Sequence, residues 1–259
     1  MLKDITFGQY FDSDSCIHHL NPITKILSLI LLIVFIFLTG NLYALAACAI
    51  FVLAVILLSG IPLKMYLKNI KVILPIIVFT ALINLFYGAK GDMSQSVYRA
   101  VYLSVRIILL ILISSVLTYT TTPNDLTDAI EKMFSPLGFL GLRSAVHTLA
   151  MMMTIALRFI PTLVEETEKI MNAQKARGAD LESGKLMQRI RALIPILIPL
   201  LVSSVRRAYE LAEAMECRCY NGGEGKTRMK QMKLHLIDLW SSLAVLALCG
   251  GNIVLNILL

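Results

Sequence analysis

Charged residues are scarce in this sequence, and several long stretches have none at all. Only 16% of the 259 residues are charged, whereas 57% are hydrophobic, and the mean hydropathy is +0.75. Soluble domains carry roughly 25% charged residues, so an ordinary soluble fold is excluded. The uncharged stretches lie between Lys25 and Lys64, between Lys71 and Lys90, between Arg106 and Asp125, and after Asp238.

The uncharged stretches are long enough to cross a membrane. A helix of about 20 apolar residues spans the ~30 Å hydrocarbon core of a bilayer. The first stretch is too long for one crossing and contains Gly40-Asn41, a pair typical of turns, so we predict two short helices there. The sequence therefore predicts an all-α membrane protein with five crossings, at residues 23–39, 42–59, 72–87, about 97–120 and 239–259.

Lysine and arginine are distributed unevenly between the two sides of these crossings. Most of them fall on one side, in the polar segment 121–237 and at Lys3, Lys25, Lys64, Lys68 and Lys71. Because basic residues are enriched in cytoplasmic loops, we expect an N-terminal transmembrane region (1–120), a cytosolic helical coupling domain (121–237) and a last crossing (238–259). The N-terminus is expected in the cytoplasm of a prokaryote and the C-terminus outside its plasma membrane. This topology explains the net charge of +7 without a nucleic-acid-binding surface.

Motifs of enzymes and of metal sites are also lacking. The five cysteines have no disulfide or zinc-ligand spacing, so we expect reduced thiols, no metal and no cofactor. Gly225-Lys226-Thr227 resembles the end of a nucleotide-binding P-loop, but Tyr220 stands where that loop requires glycine, and a helix precedes it instead of a strand. The crossings contain no carboxylate, and their Ser and Thr residues have no nearby His. We therefore expect no catalytic activity in the chain itself.

Two long amphipathic helices are predicted in the cytosolic segment, after a short helix at about 124–134. The first runs through residues 160–175 and the second through about 198–219. The second helix carries a seam with alternating spacings of four and three, typical of helix packing: Leu201, Val205, Ala208, Ala212, Met215 and Cys219. Three methionines, Met151, Met152 and Met153, precede the first helix. Methionine suits adaptable binding surfaces, and filling the core of the domain is an equal alternative.

Each long helix opens with an Ile-Pro pair and ends with an arginine between small residues. The two motifs are Ala176-Arg177-Gly178 and Cys217-Arg218-Cys219. A guanidinium is always charged and presents a rigid fork of donors, and small neighbours allow a helix tip to enter a groove on a partner. The alternative is purely structural, because a cation near a helix C-terminus interacts favourably with the helix dipole.

These residues resemble those of the transmembrane T component of energy-coupling factor transporters, a division of the ABC-type importers. The resemblance covers nearly the whole chain, and the paired arginine motifs are its most specific part. The other matching segments are Gly8-Gln9-Tyr10, His18-His19-Leu20-Asn21-Pro22-Ile23-Thr24-Lys25, Ala156-Leu157-Arg158-Phe159-Ile160-Pro161, Ala173-Gln174-Lys175, Ala179-Asp180, Ala214-Met215-Glu216 and Tyr220.

The resemblance implies a non-catalytic coupling subunit for the uptake of a vitamin or a metal ion. In that family the two arginine tips dock into grooves on two cytosolic ABC ATPases, and the apolar faces of the same helices hold a membrane-embedded substrate-binding (S) component. The expected ATPase contacts are Ala176, Arg177, Gly178, Cys217, Arg218 and Cys219. The expected S-component contacts are Met151, Met152, Met153, Leu163, Met171, Leu201 and Val205. Cys217 departs from the usual alanine, but both are small, so docking is expected to survive.

Several alternatives remain open at this point. The motifs are closest to the shared type of T component, which serves several S components, and the dedicated cobalt or nickel type is the first alternative. A stand-alone channel or carrier is a second. Arg99 and Arg106 lie seven residues apart on the fourth crossing, where charge indicates a transport pathway or an ion pair. We favour a simpler interpretation, in which both side chains snorkel from a helix end.

Overall fold

The computed structural model describes residues 10–87, 93–134, 143–179, 186–221 and 235–258. These ranges contain eight α-helices and no strand, which confirms the all-α class. The helices are α1 (Pro22–Leu38), α2 (Leu42–Leu58), α3 (Leu63–Tyr87), α4 (Met93–Thr120), α5 (Pro123–Phe134), α6 (Arg143–Ala176), α7 (Leu186–Glu216) and α8 (Leu236–Leu258).

The chain divides into two compact units. One unit, here called the bundle, spans residues 8–126 and 230–259 and contains α1–α4 and α8. The other, here called the long-helix unit, contains residues 127–229 and so holds most of α5 together with α6 and α7.

The turn predicted at Gly40-Asn41 separates α1 from α2. Asn21 caps α1, because its side chain accepts a hydrogen bond from the Ile23 amide, and Pro22 occupies the first turn, where its missing N–H costs nothing. The helix ends at Leu38, and α2 begins at Leu42. Each helix has 17 residues, so the long uncharged stretch forms two short helices as predicted.

The hydrophobic core of the described residues lies in the bundle. Ile36 of α1 and Val52 of α2 are completely buried, and Ile113 of α4 and Cys249 of α8 are nearly so. Tyr66 of α3 joins the same cluster, and its ring stands edge-on to that of Tyr119 at 5.4 Å between centroids. No described residue of the long-helix unit belongs to this cluster.

Three predicted helices are longer in the structure than the sequence indicated. Helix α3 begins at Leu63 instead of residue 72, α4 begins at Met93 instead of about 97, and α8 begins at Leu236 instead of 239. Hydropathy marks only the apolar part of a helix, whereas lysines are good helix formers that extend it beyond that part. Lys64, Lys68 and Lys71 therefore lie within α3 and not before it.

Five described helices are long and apolar enough to cross a membrane, but they are not the five predicted from the sequence. They include segments of α3, α4 and α8, and also Ala145–Ala176 of α6 and Arg191–Glu216 of α7. The latter two have a mean hydropathy of 1.4, against 2.0 for α3 and 2.4 for α4. Helices α1 and α2 are apolar but shorter, because the turn at Gly40-Asn41 divides their stretch.

The long-helix unit also differs from the sequence-based boundaries. Helix α6 has 34 residues and α7 has 31, so both start well before their predicted positions at 160 and 198. Pro161 and Pro199, expected near the helix starts, lie inside α6 and α7, together with Pro195. Proline removes one helical hydrogen bond, but the long helices continue through it. Gly225-Lys226-Thr227 lies outside the described residues.

Candidate functional site

Helix α6 ends in a cap that places Arg177 at its exposed tip. The Ala179 amide donates to the Gln174 carbonyl at 3.0 Å, and the Gly178 amide donates to the Lys175 carbonyl at 3.0 Å. This pair of hydrogen bonds is the Schellman motif, in which the residue after the C-cap is left-handed. Gly178 has φ +84°, and a Cβ atom there would meet nothing within 4 Å. Glycine is therefore favoured at this position by its backbone conformation and not by close packing.

Helix α7 ends in the same Schellman motif, and each residue of the α6 cap has a counterpart in the α7 cap. The Tyr220 amide donates to the Met215 carbonyl at 3.0 Å, and the Cys219 amide donates to the Glu216 carbonyl at 2.8 Å. Cys219 has φ +56° and is the only non-glycine residue with positive φ among those described. Arg218 therefore occupies the C-cap position of α7, as Arg177 does in α6.

The shared cap gives the two arginines equivalent positions at their helix ends. Both side chains are exposed, and neither guanidinium has an ion-pair partner in the described part of the chain. Backbone amides satisfy the Gln174 and Lys175 carbonyls of α6 and the Met215 and Glu216 carbonyls of α7, so these carbonyls do not need a guanidinium as a capping donor. The flanking residues Ala176, Cys217 and Cys219 are exposed as well. Each tip thus presents one arginine between small residues, and the α6 tip also carries the exposed Lys175 in its last turn.

A polar contact joins α6 to α7. The Arg207 Nη2 atom donates to Glu166 Oε2 at 2.8 Å, and the Ser203 hydroxyl donates to Glu166 Oε1. The Glu166 side chain is 20% exposed and the Arg207 side chain 35% exposed, so water screens the pair only partly. The sequence pattern placed Glu166 and Arg207 on polar helix faces and gave no sign that they contact each other.

The residues predicted to contact an S component divide into two groups. Met152, Met153, Leu201 and Val205 are exposed, whereas the remaining three, Met151, Leu163 and Met171, are partly buried. The Tyr220 hydroxyl lies 2.8 Å from Met151 Sδ. One methionine of the run therefore packs inside the long-helix unit and two face outwards.

Exposed apolar residues continue along α7 well before the predicted seam. Six of its exposed large hydrophobic side chains recur at helical spacing: Ile194, Leu197, Ile198, Leu201, Val205 and Tyr209. The start of this stripe was missed because the helix was expected to begin at residue 198. Among the described residues of this unit, the buried apolar side chains are only Ala129, Ala150 and Ile196. The long-helix unit thus exposes more large apolar side chains than it buries.

Arg106 has protein partners inside the bundle instead of snorkelling from a helix end. Its guanidinium lies 4.7 Å from the centre of the Tyr102 ring, and its Nη2 atom donates to the Thr39 carbonyl, as does the Tyr102 hydroxyl. Thr39 is the C-cap of α1, and a cation is favourable there. Arg99 is exposed. The two arginines therefore do not act as a pair.

His18 binds other residues of the segment before α1 and so folds that segment on itself. Its Nε2 atom lies 2.9 Å from the Phe11 carbonyl, and its Nδ1 atom lies 2.7 Å from the Ser15 hydroxyl. These contacts fit a neutral ring that donates from Nε2 and accepts at Nδ1. Burial lowers the pKa of His18 below its usual value of 6.5, and the nearby Lys25 charge acts in the same direction. The described residues contain no group of three or more His, Cys, Asp or Glu side chains that suits a metal ion.

Comparisons with known proteins agree with one another. A family model described as CbiQ, cobalt transport protein, matches residues 13–230. The energy-coupling factor transporter transmembrane protein EcfT of Clostridium kluyveri is 48% identical over 259 residues, covering 96% of this chain and 95% of that protein. EcfT of Ruminiclostridium cellulolyticum is 45% identical over 247 residues, covering 92% of each chain. EcfT of Bacillus subtilis is 40% identical over 242 residues, covering 90% and 91%. The chain belongs to the family of transmembrane components of energy-coupling factor transporters.

Proposed function

We propose that this chain couples two cytosolic ABC ATPases to a membrane-embedded S component, and that Arg177 and Arg218 are the points of attachment for the ATPases. The observation that carries the proposal is the repeated cap, which presents an exposed arginine at the same position of two long helices. A purely structural role would not explain why an arginine recurs at both tips, because backbone hydrogen bonds already close both caps.

The chemistry of the tips fits docking into an acceptor-lined groove. An arginine fork binds a carboxylate or a pair of carbonyls with fixed geometry, and the small residues beside it leave room for the groove walls. The αL residue after each arginine ends its helix, so the guanidinium lies at the helix tip. The small residues on either side of each arginine then form the sides of the two docking tips: Ala176, Gly178, Cys217 and Cys219.

The contact between α6 and α7 supports transmission of movement. Glu166 binds Ser203 and Arg207 of the other helix, so a force on one tip displaces both helices. Helices α6 and α7, of 34 and 31 residues, are continuous from this contact to their C-terminal tips. The coupling domain is proposed as residues 121–237, in the cytoplasm, with the N-terminus inside and the C-terminus outside.

The exposed stripe of α7 is the proposed contact for the S component. Leu201 and Val205 are its centre, and Met152 and Met153 of α6 add adaptable apolar surface. We propose a vitamin as the cargo and the shared type of T component, which serves several S components. A dedicated cobalt transporter is the second candidate, because the matching family model is described as a cobalt transport protein. Identification of the S proteins that copurify with the chain distinguishes the two.

The experiment that tests the proposal is co-purification of the ATPases with arginine variants. We expect Arg177→Ala and Arg218→Ala each to weaken attachment by ~2–5 kcal/mol, because a desolvated charge pair loses one partner. The double variant is expected to lose ATP-driven uptake. Arg206→Ala is the matched control, since Arg206 is exposed on α7 away from the tip. Undiminished recovery of the ATPases with the double variant would contradict the proposal.

A further inference from the structure

The two arginine tips share a backbone but differ in chemistry. Where the α6 tip has Ala176 and Gly178, the α7 tip has Cys217 and Cys219, and both thiols are exposed. Cys219 also occupies the left-handed position, with φ +56°, that the α6 tip fills with glycine. A non-glycine residue is strained there, and such strain is found where a side chain has a function. The α7 tip, which carries both thiols, thus has a strained backbone conformation that the α6 tip avoids.

We propose that Cys217 and Cys219 form a thiol modification site that detaches the α7 tip from its ATPase. The modifying agent is a low-molecular-weight disulfide such as oxidised glutathione. The inference rests on the proposed docking of Arg218 and adds a regulatory reaction to it. The α6 tip carries no thiol and keeps its attachment, so modification disables one of the two contacts.

The reaction is a thiol–disulfide exchange. One of the two cysteines loses its proton to solvent, and the thiolate attacks a sulfur of the small disulfide. A bond forms between the cysteine sulfur and that sulfur, the original disulfide bond breaks, and the second half leaves as a thiolate that takes up a proton. The protein thiol is oxidised to a mixed disulfide, and the leaving half is reduced. An excess of a small thiol reverses the exchange and restores the free cysteine.

The adduct interferes with docking in two ways. A tripeptide attached beside Arg218 is far larger than the small side chains that the docking groove would admit. Glutathione also carries a net negative charge, and its carboxylates pair with the adjacent guanidinium in place of the partner's acceptors. Since Cys217 and Cys219 flank Arg218 directly in sequence, an adduct on either one lies within reach of it.

The test uses the full-length chain, treated with oxidised glutathione before purified ATPases are added. Peptide mass spectrometry locates the adduct, and co-elution measures ATPase attachment. We expect an adduct on the α7 tip, at least a tenfold loss of affinity for the ATPases, and recovery after dithiothreitol. The double variant Cys217→Ala/Cys219→Gly reproduces the residues of the α6 tip, and we expect the oxidant to leave its affinity for the ATPases the same as that of the untreated double variant. Cys16→Ser, which removes an exposed thiol in the bundle, is expected to remain sensitive.

Each other result overturns the inference. An adduct at the α7 tip that leaves ATPase binding unchanged removes the regulatory role, and an adduct found only on Cys16 removes the site itself. Sensitivity that persists in the double variant assigns the effect to another residue. The proposed function is judged separately, by the arginine variants: if Arg218→Ala releases the ATPase and the modified wild type does not, docking stands and this inference fails.

Discussion

The backbone at Cys219 sets the energetic difference between the two tips. An L-residue in the left-handed helical region is disfavoured by roughly 1–2 kcal/mol because its Cβ approaches the following carbonyl oxygen, and glycine avoids this cost. The α6 tip has glycine at this position and the α7 tip does not. The cap of α7 is therefore held less strongly than that of α6, although their hydrogen bonds are alike.

Replacing the strained residue should stabilise the long-helix unit. We expect Cys219→Gly to raise the free energy of unfolding by about 1 kcal/mol, with part of the gain offset by the greater freedom of glycine in the unfolded chain. The reciprocal change, Gly178→Ala, should lower it by a similar amount, since φ is +84° there. Thermal unfolding of both variants in detergent, followed by circular dichroism, measures these shifts. Equal stability of all three proteins would show that the caps carry no strain.

His18 makes the start of the bundle sensitive to acid. Its pKa is lowered in the folded protein, chiefly by burial, so the native state binds fewer protons than the unfolded one. The stabilisation is fully present above the usual pKa of 6.5 and is lost as pH falls through the lower folded value. Protonation also prevents Nδ1 from accepting the Ser15 hydroxyl.

The consequence is a loosening of residues 10–20 on acidification. Between pH 7.5 and 5, we expect faster amide exchange of Phe11, whose N–H donates to the Tyr119 carbonyl at 2.9 Å. His18→Gln should remove most of the pH dependence after correction for intrinsic exchange. The neighbouring His19 is exposed and contacts Asp14, so His19→Gln serves as the control and should leave the pH dependence in place.

At the scale of elements, the contact of Glu166 with Arg207 and Ser203 holds α6 against α7. A partly buried pair is screened less than a surface pair, and a coupling energy of about 1 kcal/mol is expected, at the upper end of exposed ion pairs. A double-mutant cycle with Glu166→Gln and Arg207→Gln isolates this energy from the effects of each change alone. Arg206→Gln in place of Arg207→Gln is the control and should show no coupling to Glu166. Additive effects for Arg207 would mean that the contact does not hold the helices together.

Sequence patterns predicted the elements better than their ends and contacts. The turn at Gly40-Asn41 and both arginine motifs could be recognised in the sequence, because glycine, asparagine and small residues mark chain reversals and helix ends. The starts of α6 and α7 were predicted wrongly. Proline is typical of helix starts, but Pro161 and Pro199 lie in helix interiors here. Helical periodicity placed Glu166 on a polar face but could not identify its partner, which depends on how the two helices pack. The left-handed conformation of Cys219 has no sequence signature at all.

At the scale of the whole molecule, the two units differ in what they bury. The bundle has a continuous core drawn from α1, α2, α3, α4 and α8, whereas the described part of the long-helix unit buries only small groups and Ile196. A lipid-embedded helix gains nothing by hiding apolar side chains from its surroundings, but a helix in water does. For α6 and α7 in the cytoplasm, the location proposed above, the exposed apolar side chains require a partner that covers them.

We predict that attachment of the S component and attachment of the ATPases can be lost separately. Leu201→Asp and Val205→Asp place a charge in the middle of the α7 stripe, and because both side chains are exposed, the fold should change in stability by less than about 0.5 kcal/mol. We expect loss of the S component with the ATPases retained, and the reverse for the double variant of Arg177 and Arg218. Leu201→Met keeps the apolar surface and should keep both partners. Since the stripe and the tips lie on the same two helices, loss of both partners from either set of variants would mean that they form one inseparable interface.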